Sequence, residues 1–279
     1  MKMCSCGTDA YSTLWAEKGI LWCWKCKSAA GIGSEPRKTV LKKAKVDRMP
    51  DKIEELSARK WNKIRPWKKV GFDLVERFGF YLSELHGRVK LKNGNFADYS
   101  GVYLVMPVTR EGEQILFSAR LIDGNEHAPK YVIPTNIQKN YWLSDTPKLL
   151  TKQKLLVFLC EGIADAAYLS PLGFSVGLLG VNYDGSLDTC LQDQRVVIAF
   201  DGDATGATQS TKLACDLYNR GIKDVHILIL KDNADPTDFS YYELGEMLTD
   251  NGVISHGDEK NCIASRVSKI ALETNKKVK

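Results

Sequence analysis

From residue 155 onward, short apolar segments alternate with segments of helical pattern, and this alternation constrains the fold more than any other feature. Four apolar segments have the length of buried strands: 155–160, 174–178, 196–200 and 225–230. Helical patterns lie between or after them, at 164–169, 204–219 and 241–248. Strands that alternate with helices at this spacing form a parallel sheet covered by helices. We therefore predict an α/β region within a chain that is α+β overall.

Acidic residues directly follow three of the four predicted strands. Glu161 follows the first strand, Asp201 and Asp203 follow the third, and Asp235 lies just after the fourth. Ligands bind at the carboxyl ends of parallel strands, so these acids are expected at one edge of the sheet. Clustered carboxylates repel one another unless a cation neutralises them, and their oxygens suit Mg²⁺ or Mn²⁺. The pattern predicts a divalent-metal site; the alternative is that these acids only cap the following helices.

Glycines next to these acids are expected to shape the same edge. Gly162 and Gly202 let the backbone turn sharply and are predicted to leave room for a phosphate group. Asp165, one turn into the helix after Glu161, is expected to support Glu161 from behind or to contact a water molecule.

The order of these residues resembles a known domain. Glu161-Gly162 with Asp165, then Asp201-x-Asp203-x-x-Gly206, then Asp235-Pro236 is similar to the TOPRIM domain, which primases, type IA topoisomerases and some nucleases share. The resemblance implies that Glu161, Asp201 and Asp203 are catalytic and that Asp235 completes the metal ligands. One position departs from it: the family often has Asp-Pro-Asp-Glu where this chain has Asp235-Pro236-Thr237-Asp238, which leaves Asp238 as a supporting residue.

The preceding region resembles bacterial and phage DNA primases in particular. An apolar strand with Pro107, a turn at 110–112 and a second strand ending in Phe117-Ser-Ala-Arg120 follow the primase pattern, as do Pro129-Lys130-Tyr131 and Lys139. The similarity covers roughly residues 4–240. It implies that Arg120, Lys130 and Lys139 line a basic groove that holds template or nucleotide.

Four cysteines near the start have the spacing of a zinc site. Cys4 and Cys6 precede Cys23 and Cys26 by a gap of 16 residues. A segment this short needs a cross-link to fold, and cysteines clustered in a reducing compartment indicate metal rather than disulfides. We predict a structural Zn²⁺ here, with unpaired thiols as the alternative, and this segment also resembles the primase zinc ribbon.

Charge is distributed unevenly along the chain. Residues 1–150 carry 26 Lys and Arg against 16 Asp and Glu, whereas residues 151–279 carry 13 against 18. A basic half is suited to a polyanion and an acidic half to metal ions, although a solvated basic surface is the alternative.

A helix is also expected to begin at Asp51 and continue through Ile64. The predicted organisation is a zinc ribbon at 1–33, a basic linker at 34–50, a basic mixed subdomain at 51–150, a TOPRIM parallel-sheet subdomain at 151–250 and a polar basic tail at 251–279.

Together these features predict a DNA primase that makes short RNA primers from ribonucleoside triphosphates on single-stranded DNA. The expected partners are single-stranded DNA and a separate replicative helicase, with no membrane contact. No secretory signal or membrane span is recognised, so a cytoplasmic protein is expected, and its compactness suggests a phage origin, in the host cytoplasm or nucleoid. The alternatives are a non-catalytic DNA clamp like the RecR recombination mediators and a TOPRIM nuclease, while a topoisomerase needs a larger body.

Overall fold

The structure is a computed structural model that divides into two compact units, Met1–Lys42 and Lys43–Lys279. It describes residues 11–15, 20–23, 28–31, 46–53, 56–64, 69–90, 94–134, 137, 141–144, 154–180, 182–231 and 233–254, the first three ranges as backbone alone. Among these residues no helix is both long enough and apolar enough to cross a membrane.

Three short strands form an antiparallel sheet in the first unit. They are β1 (Tyr11–Trp15), β2 (Ile20–Cys23) and β3 (Ser28–Gly31), in that spatial order. Cys23 ends β2 and pairs with Ser28, the first residue of β3, so a four-residue connection that contains Cys26 joins the two strands. Cys4, Cys6 and Cys26 lie outside the described residues, and the zinc site therefore stays a prediction.

A four-stranded antiparallel sheet is the main element of the first half of the second unit. Its strands, in spatial order, are β4 (Tyr81–Lys90), β5 (Phe96–Arg110), β6 (Glu113–Gly124) and β7 (Tyr131–Val132). Glu111 and Gly112 join β5 to β6 with φ angles of 51° and 82°, which a two-residue hairpin turn with positive φ requires. The predicted β5–β6 hairpin is confirmed, whereas β4 was not predicted from the sequence.

The predicted helix start at Asp51 is wrong. Residues 51–53 are extended along β4, where the Ser83 hydroxyl donates to the Asp51 carbonyl oxygen at 2.6 Å and the Ile53 amide donates to Leu82 at 3.0 Å. These contacts hold residues 51–53 against β4 instead of in a helical turn. The helix α1 begins only at Ala58 and ends at Ile64, and α2 spans Phe72–Arg77.

The predicted parallel sheet is present in the second half of the unit. Its elements are β8 (Trp142–Leu143), β9 (Leu156–Cys160), β10 (Phe174–Gly177), β11 (Arg195–Ala199) and β12 (Val225–Ile227). The spatial order is β12-β11-β9-β10-β8, and only the edge strand β8 runs antiparallel to its neighbour. The fold class is thus mixed, with one antiparallel and one mainly parallel sheet in the same unit.

Helices cover both faces of the parallel sheet. They are α3 (Ile163–Leu169), α4 (Asp188–Leu191), α5 (Ala204–Asn219) and α6 (Tyr241–Asp250), with a 3₁₀ helix at Pro236–Asp238. Strand residues alternate between the faces, as the period of two requires. Phe158 packs with α3 and α6 on one face, and Val157 packs with α5 on the other.

The chain reverses its direction across the sheet between β9 and β11. From β9 the chain passes through α3 to β10 on one side, whereas β11 lies on the other side of β9 and leads through α5 to β12. The helices α3 and α5 thus leave the carboxyl ends of β9 and β11 on opposite faces of the sheet. Such a switch point is where open α/β sheets bind ligands.

The two halves of the second unit share one apolar core. A single cluster of buried side chains contains Trp61 and Leu104 from the first half and Phe158 and Leu244 from the second. Burying them stabilises both halves together, at about 1.5–3 kcal/mol for each large side chain. This core holds the antiparallel sheet against the face of the parallel sheet that carries α3.

Candidate functional site

Three loops bring the predicted acidic residues to the carboxyl edge of the parallel sheet. Ala199, the last residue of β11, pairs with Cys160, the last residue of β9, so the two strands end side by side. Glu161 is the first residue after β9, and Asp201 is the second residue after β11. The loop after β12 approaches the same edge, because the Gly202 amide donates to the Ala234 carbonyl oxygen at 2.7 Å and the Asn233 amide donates to Gly202 at 3.1 Å. The loops that carry Asp201 and Asp235 are therefore directly bonded.

Glu161 lies where other carboxylates and burial both disfavour its charge. Burial raises its pKa to about 7, and the negative charges of Asp201, Asp203 and Asp165 act in the same direction, while a hydrogen bond from the Asp201 backbone opposes them. These effects show that Glu161 and the three aspartates lie close enough for their charges to interact. A positive ion at this position would relieve the repulsion.

Asp203 is the N-cap of α5. Its side chain accepts a hydrogen bond from the Gly206 amide at 2.6 Å. A side chain at Gly206 would place its Cβ 2.0 Å from the Asp201 carbonyl oxygen, so only glycine allows this first helical turn to pack against the Asp201 backbone. The spacing of the Asp201-x-Asp203-x-x-Gly206 motif is thus explained by the local packing.

Asp235 and Asp238 cap the 3₁₀ helix reciprocally. The Asp235 carboxylate accepts from the Thr237 amide at 2.9 Å, and the Asp238 carboxylate accepts from the Asp235 amide at 2.9 Å. Asp238 is exposed, and its carboxylate is turned toward the Asp235 backbone. The capping alternative considered for the strand-end acids therefore describes one role that Asp203 and Asp235 do have.

The prediction that Gly202 leaves space for a phosphate group is wrong. A Cβ atom at Gly202 would lie 2.1 Å from the carbonyl oxygen of Lys231 and 3.1 Å from that of Ala234. Glycine is needed here because the two loops are packed together, and no ligand fits on that side. At Gly162 the corresponding neighbour is the Asp165 carboxylate, whose Oδ2 would be 3.2 Å away, and Asp165 itself is only 6% exposed.

These acids are suited to a divalent cation by their chemistry, but their side chains are not arranged around a common metal position. In the described part of the chain, no three His, Cys, Asp or Glu side chains are grouped closely enough to hold a metal ion. Asp203 and Asp235 each direct an oxygen to a backbone amide. A carboxylate has two oxygens and about four acceptor sites, so capping uses part of its capacity. The acids fit Mg²⁺ or Mn²⁺ by residue type and by their mutual repulsion.

The predicted basic groove is described in part. Arg120 on β6 is opposite Tyr131 on β7, and its guanidinium carbon is 4.8 Å from the centre of the Tyr131 ring. Lys130 is exposed, and its carbonyl oxygen accepts from the Leu121 amide at 3.0 Å. Lys139 lies outside the described residues. Binding of template or nucleotide by these residues stays a prediction.

Lys69 was missed as a neighbour of the acidic loops. Its Nζ donates to the Asp238 carbonyl oxygen at 2.6 Å. The pKa of Glu243 is lowered first by its hydrogen bonds to Ser240 and then by the charges of Lys231 and Lys69, which places both lysines near the start of α6. The contact joins residues 169 positions apart, and no local pattern in the sequence indicates it.

Comparisons with known proteins show a distant structural similarity. No family model and no curated protein matches this sequence. Among solved structures, the chain is similar to a crystal structure of the Aquifex aeolicus primase that comprises its zinc-binding and RNA polymerase domains. The identity is 14%, the match covers 91% of this chain and 85% of that chain, and the TM-score is 0.43.

Proposed function

We propose that this chain is a DNA primase, a nucleotidyltransferase that makes short RNA primers on single-stranded DNA. The observation that carries the proposal is the convergence of Glu161, Asp201 and Asp203 at the switch point between β9 and β11, where the pKa of Glu161 is raised to about 7. Repelling carboxylates at the ligand-binding edge of an α/β sheet are suited to divalent cations that bind phosphates.

The proposed reaction joins two ribonucleotides. A ribose 3′-hydroxyl attacks the α-phosphorus of a ribonucleoside triphosphate, a new phosphodiester bond forms, and pyrophosphate leaves. Bound Mg²⁺ or Mn²⁺ would neutralise the charge that develops on the phosphate oxygens. Glu161, Asp201 and Asp203 would hold the cations, with Asp235 as a further ligand and Asp165 as the buried support of Glu161.

The surrounding residues support this site in different ways. Gly206 and the cap by Asp203 fix the start of α5, and the bond between Gly202 and Ala234 fixes the Asp235 loop beside it. Arg120, Lys130 and Lys139 would bind template or triphosphate, in keeping with the net positive charge of residues 1–150. A separate replicative helicase would be the protein partner.

The first unit would hold a structural Zn²⁺ through its four cysteines and select where priming starts. Carboxylates and cations recognise phosphates but not bases, so sequence must be recognised through base contacts elsewhere. A truncated chain that starts at Lys43 keeps Val46, whose amide donates to Ile115 at 2.9 Å. We expect it to keep metal and nucleotide binding and to lose most template-directed initiation.

One assay separates this function from its two alternatives. The full chain is incubated with single-stranded DNA, Mg²⁺ and ribonucleoside triphosphates, and the products are resolved on a denaturing gel. Short RNA that requires all of these components supports a primase. Cleaved DNA would indicate a TOPRIM nuclease, and DNA binding without any product would indicate a RecR-like clamp; either result would overturn the proposal.

A further inference from the structure

The β4–β5 hairpin extends beyond the rest of the antiparallel sheet. The strand β6 pairs with β5 only from Gly101 to Arg110, whereas β4 pairs with β5 as far as Phe96. Residues 86–90 and 96–100 therefore form a two-stranded extension, called the arm below. Two-stranded ribbons gain little from their own packing, so a long one calls for a functional explanation.

The two faces of the arm differ in exposure. His86, Arg88 and Lys90 are exposed on one face, together with Phe96 and Asp98 of β5, while the residues between them are partly buried on the other. Phe96 is 60% exposed, and the guanidinium carbon of Arg88 lies 5.7 Å from the centre of its ring. An exposed aromatic ring with an arginine over it has the composition of a stacking site for a base.

A second pair of the same kind lies on the same face of this sheet. Phe96 and Leu104 are eight positions apart on β5 and point to the same side, and Leu104 is directly opposite Arg120. Arg120 in turn contacts Tyr131, which is 44% exposed. The two arginine–aromatic pairs are thus separated by about 27 Å along β5, at 3.4 Å for each residue.

This face leads from Lys90 and Phe96 of the arm to the parallel-sheet half of the unit, which is the catalytic half under the proposed function. Leu104 belongs to the core cluster that also contains Phe158 and Ile163, so the sheet face becomes covered by the parallel-sheet half just beside Arg120. Arg88 and Lys90 are both exposed on this face of β4, and their positive charges make the arm complementary to a phosphate backbone. Asp98 offsets part of this charge, at 3.5 Å from Arg88.

We propose that the exposed face of the arm, together with Tyr131 of β7, binds single-stranded nucleic acid, with bases stacked on Phe96 and Tyr131 and phosphates bound by Arg88 and Lys90. The inference rests on the proposed function, since it names the path by which the template reaches the catalytic half. Stacking needs unpaired bases, so the arm prefers a single strand to a duplex of the same length.

The test is fluorescence anisotropy of the full chain with a labelled oligothymidylate of 16 nucleotides, across a range of salt concentrations. Phe96→Ala should weaken binding on the order of 10-fold without changing the salt dependence, and Phe96→Tyr should restore it. Arg88→Ala with Lys90→Ala should reduce the slope of log K against log salt by about 1.4, since two phosphate contacts are lost from a single strand.

The matched control is another exposed cation–aromatic pair, which lies outside the arm and contains lysine in place of arginine. Tyr218 is 56% exposed and has the Lys223 ammonium 4.0 Å from its ring centre, and Tyr218→Ala with Lys223→Ala should bind DNA as the wild type does. Equal losses in the control and arm variants, unchanged binding in the arm variants, or equally tight duplex binding would each overturn the proposal.

Failure of the arm and failure of the primase function give different results. If the wild type makes primers and the arm variants bind DNA and prime as well as it does, only the arm proposal is wrong. If Phe96→Ala weakens DNA binding but the wild type makes no primer, the arm binds DNA in a protein with another activity.

Discussion

The backbone amide of Gly202 donates a hydrogen bond to the carbonyl oxygen of Ala234 at 2.7 Å and thereby joins the loops that carry Asp201 and Asp235. The two loops pack so closely that a Cβ atom at Gly202 would lie 2.1 Å from the Lys231 carbonyl oxygen. Because this neighbour is backbone, it has no rotamer that would relieve the contact. The relative position of the acids thus depends on a residue that has no side chain.

Gly202→Ala is therefore expected to destabilise the protein and to displace the two loops. The cost should be about 1–3 kcal/mol, as for other overpacked sites, measured as the free energy of unfolding in urea. Gly245→Ala is the matched control. Gly245 lies within α6, and no atom outside the backbone of its own helix lies within 4 Å of an added Cβ, so this variant should be more stable than the wild type by about 0.5–1 kcal/mol. Equal stability of Gly202→Ala and the wild type would contradict the close packing.

The raised pKa of Glu161 predicts a loss of stability with rising pH when divalent cations are removed by a chelator. Its pKa is 4.5 in the unfolded chain and about 7 in the folded protein, so between these values the folded state retains a proton that the unfolded state has lost. The stabilisation is complete below pH 4.5 and is lost as pH rises through 7. We expect roughly 1–2 kcal/mol, allowing for solvent screening.

Glu161→Gln isolates this effect, because it removes the titration while keeping the size of the side chain. The difference between the urea unfolding free energies of wild type and variant should change across pH 4.5–7 and be constant outside it. Added Mg²⁺ should stabilise the wild type at pH 8 more than the variant. Parallel stability curves for the two proteins from pH 4.5 to 8 would refute the prediction.

Two substitutions at Asp203 separate its cap from its charge. Asp203→Asn keeps an acceptor for the Gly206 amide, so it should leave the unfolding free energy nearly unchanged, whereas Asp203→Ala should cost about 1 kcal/mol. Both should weaken Mn²⁺ binding, as followed by electron paramagnetic resonance of free Mn²⁺. If Asp203→Asn binds Mn²⁺ as the wild type does, the residue is a helix cap and not a metal ligand.

The first unit should contain one tightly bound Zn²⁺ per chain. Elemental analysis of the purified protein is expected to find it, and Cys26→Ser should lower the zinc content because a tetrahedral site loses one of four thiolates. Cys215→Ser is the control, since Cys215 is exposed on α5 and belongs to the other unit. A wild-type protein purified without zinc would contradict the assignment of Cys4, Cys6, Cys23 and Cys26.

The parallel-sheet half could be predicted closely from the sequence because its signals are local. The strands β9, β10, β11 and β12 each overlap a predicted apolar run, whereas the edge strand β8 was not predicted. The helix α5 was predicted with its observed bounds, Ala204–Asn219. The convergence of Glu161 and Asp201 followed from a general property of parallel sheets, whose carboxyl ends share an edge.

Other features could not be predicted because they depend on contacts between distant residues. After three buried residues, the strand β4 alternates exposed and half-buried residues, including Arg88 and Lys90, and so lacks the apolar run of a buried strand. The segment at Asp51 has a helical pattern, but its backbone bonds to Ser83 and Leu82 outweigh that local preference. The need for Gly202 likewise depends on Lys231, 29 residues further along the chain.

Primer synthesis by Asp201→Asn tests the central claim most directly. The wild type, Asp201→Asn and the control Asp216→Asn are assayed with single-stranded DNA, ribonucleoside triphosphates and Mg²⁺. The Asp216 carboxylate pairs with Arg220 near the C-terminal end of α5, whereas Asp203 caps the other end of this helix. The account predicts RNA primers from the wild type and the control, and a loss of at least about 100-fold in Asp201→Asn at unchanged stability. Primer synthesis by Asp201→Asn at the wild-type rate would contradict a catalytic metal site at the carboxyl ends of β9 and β11.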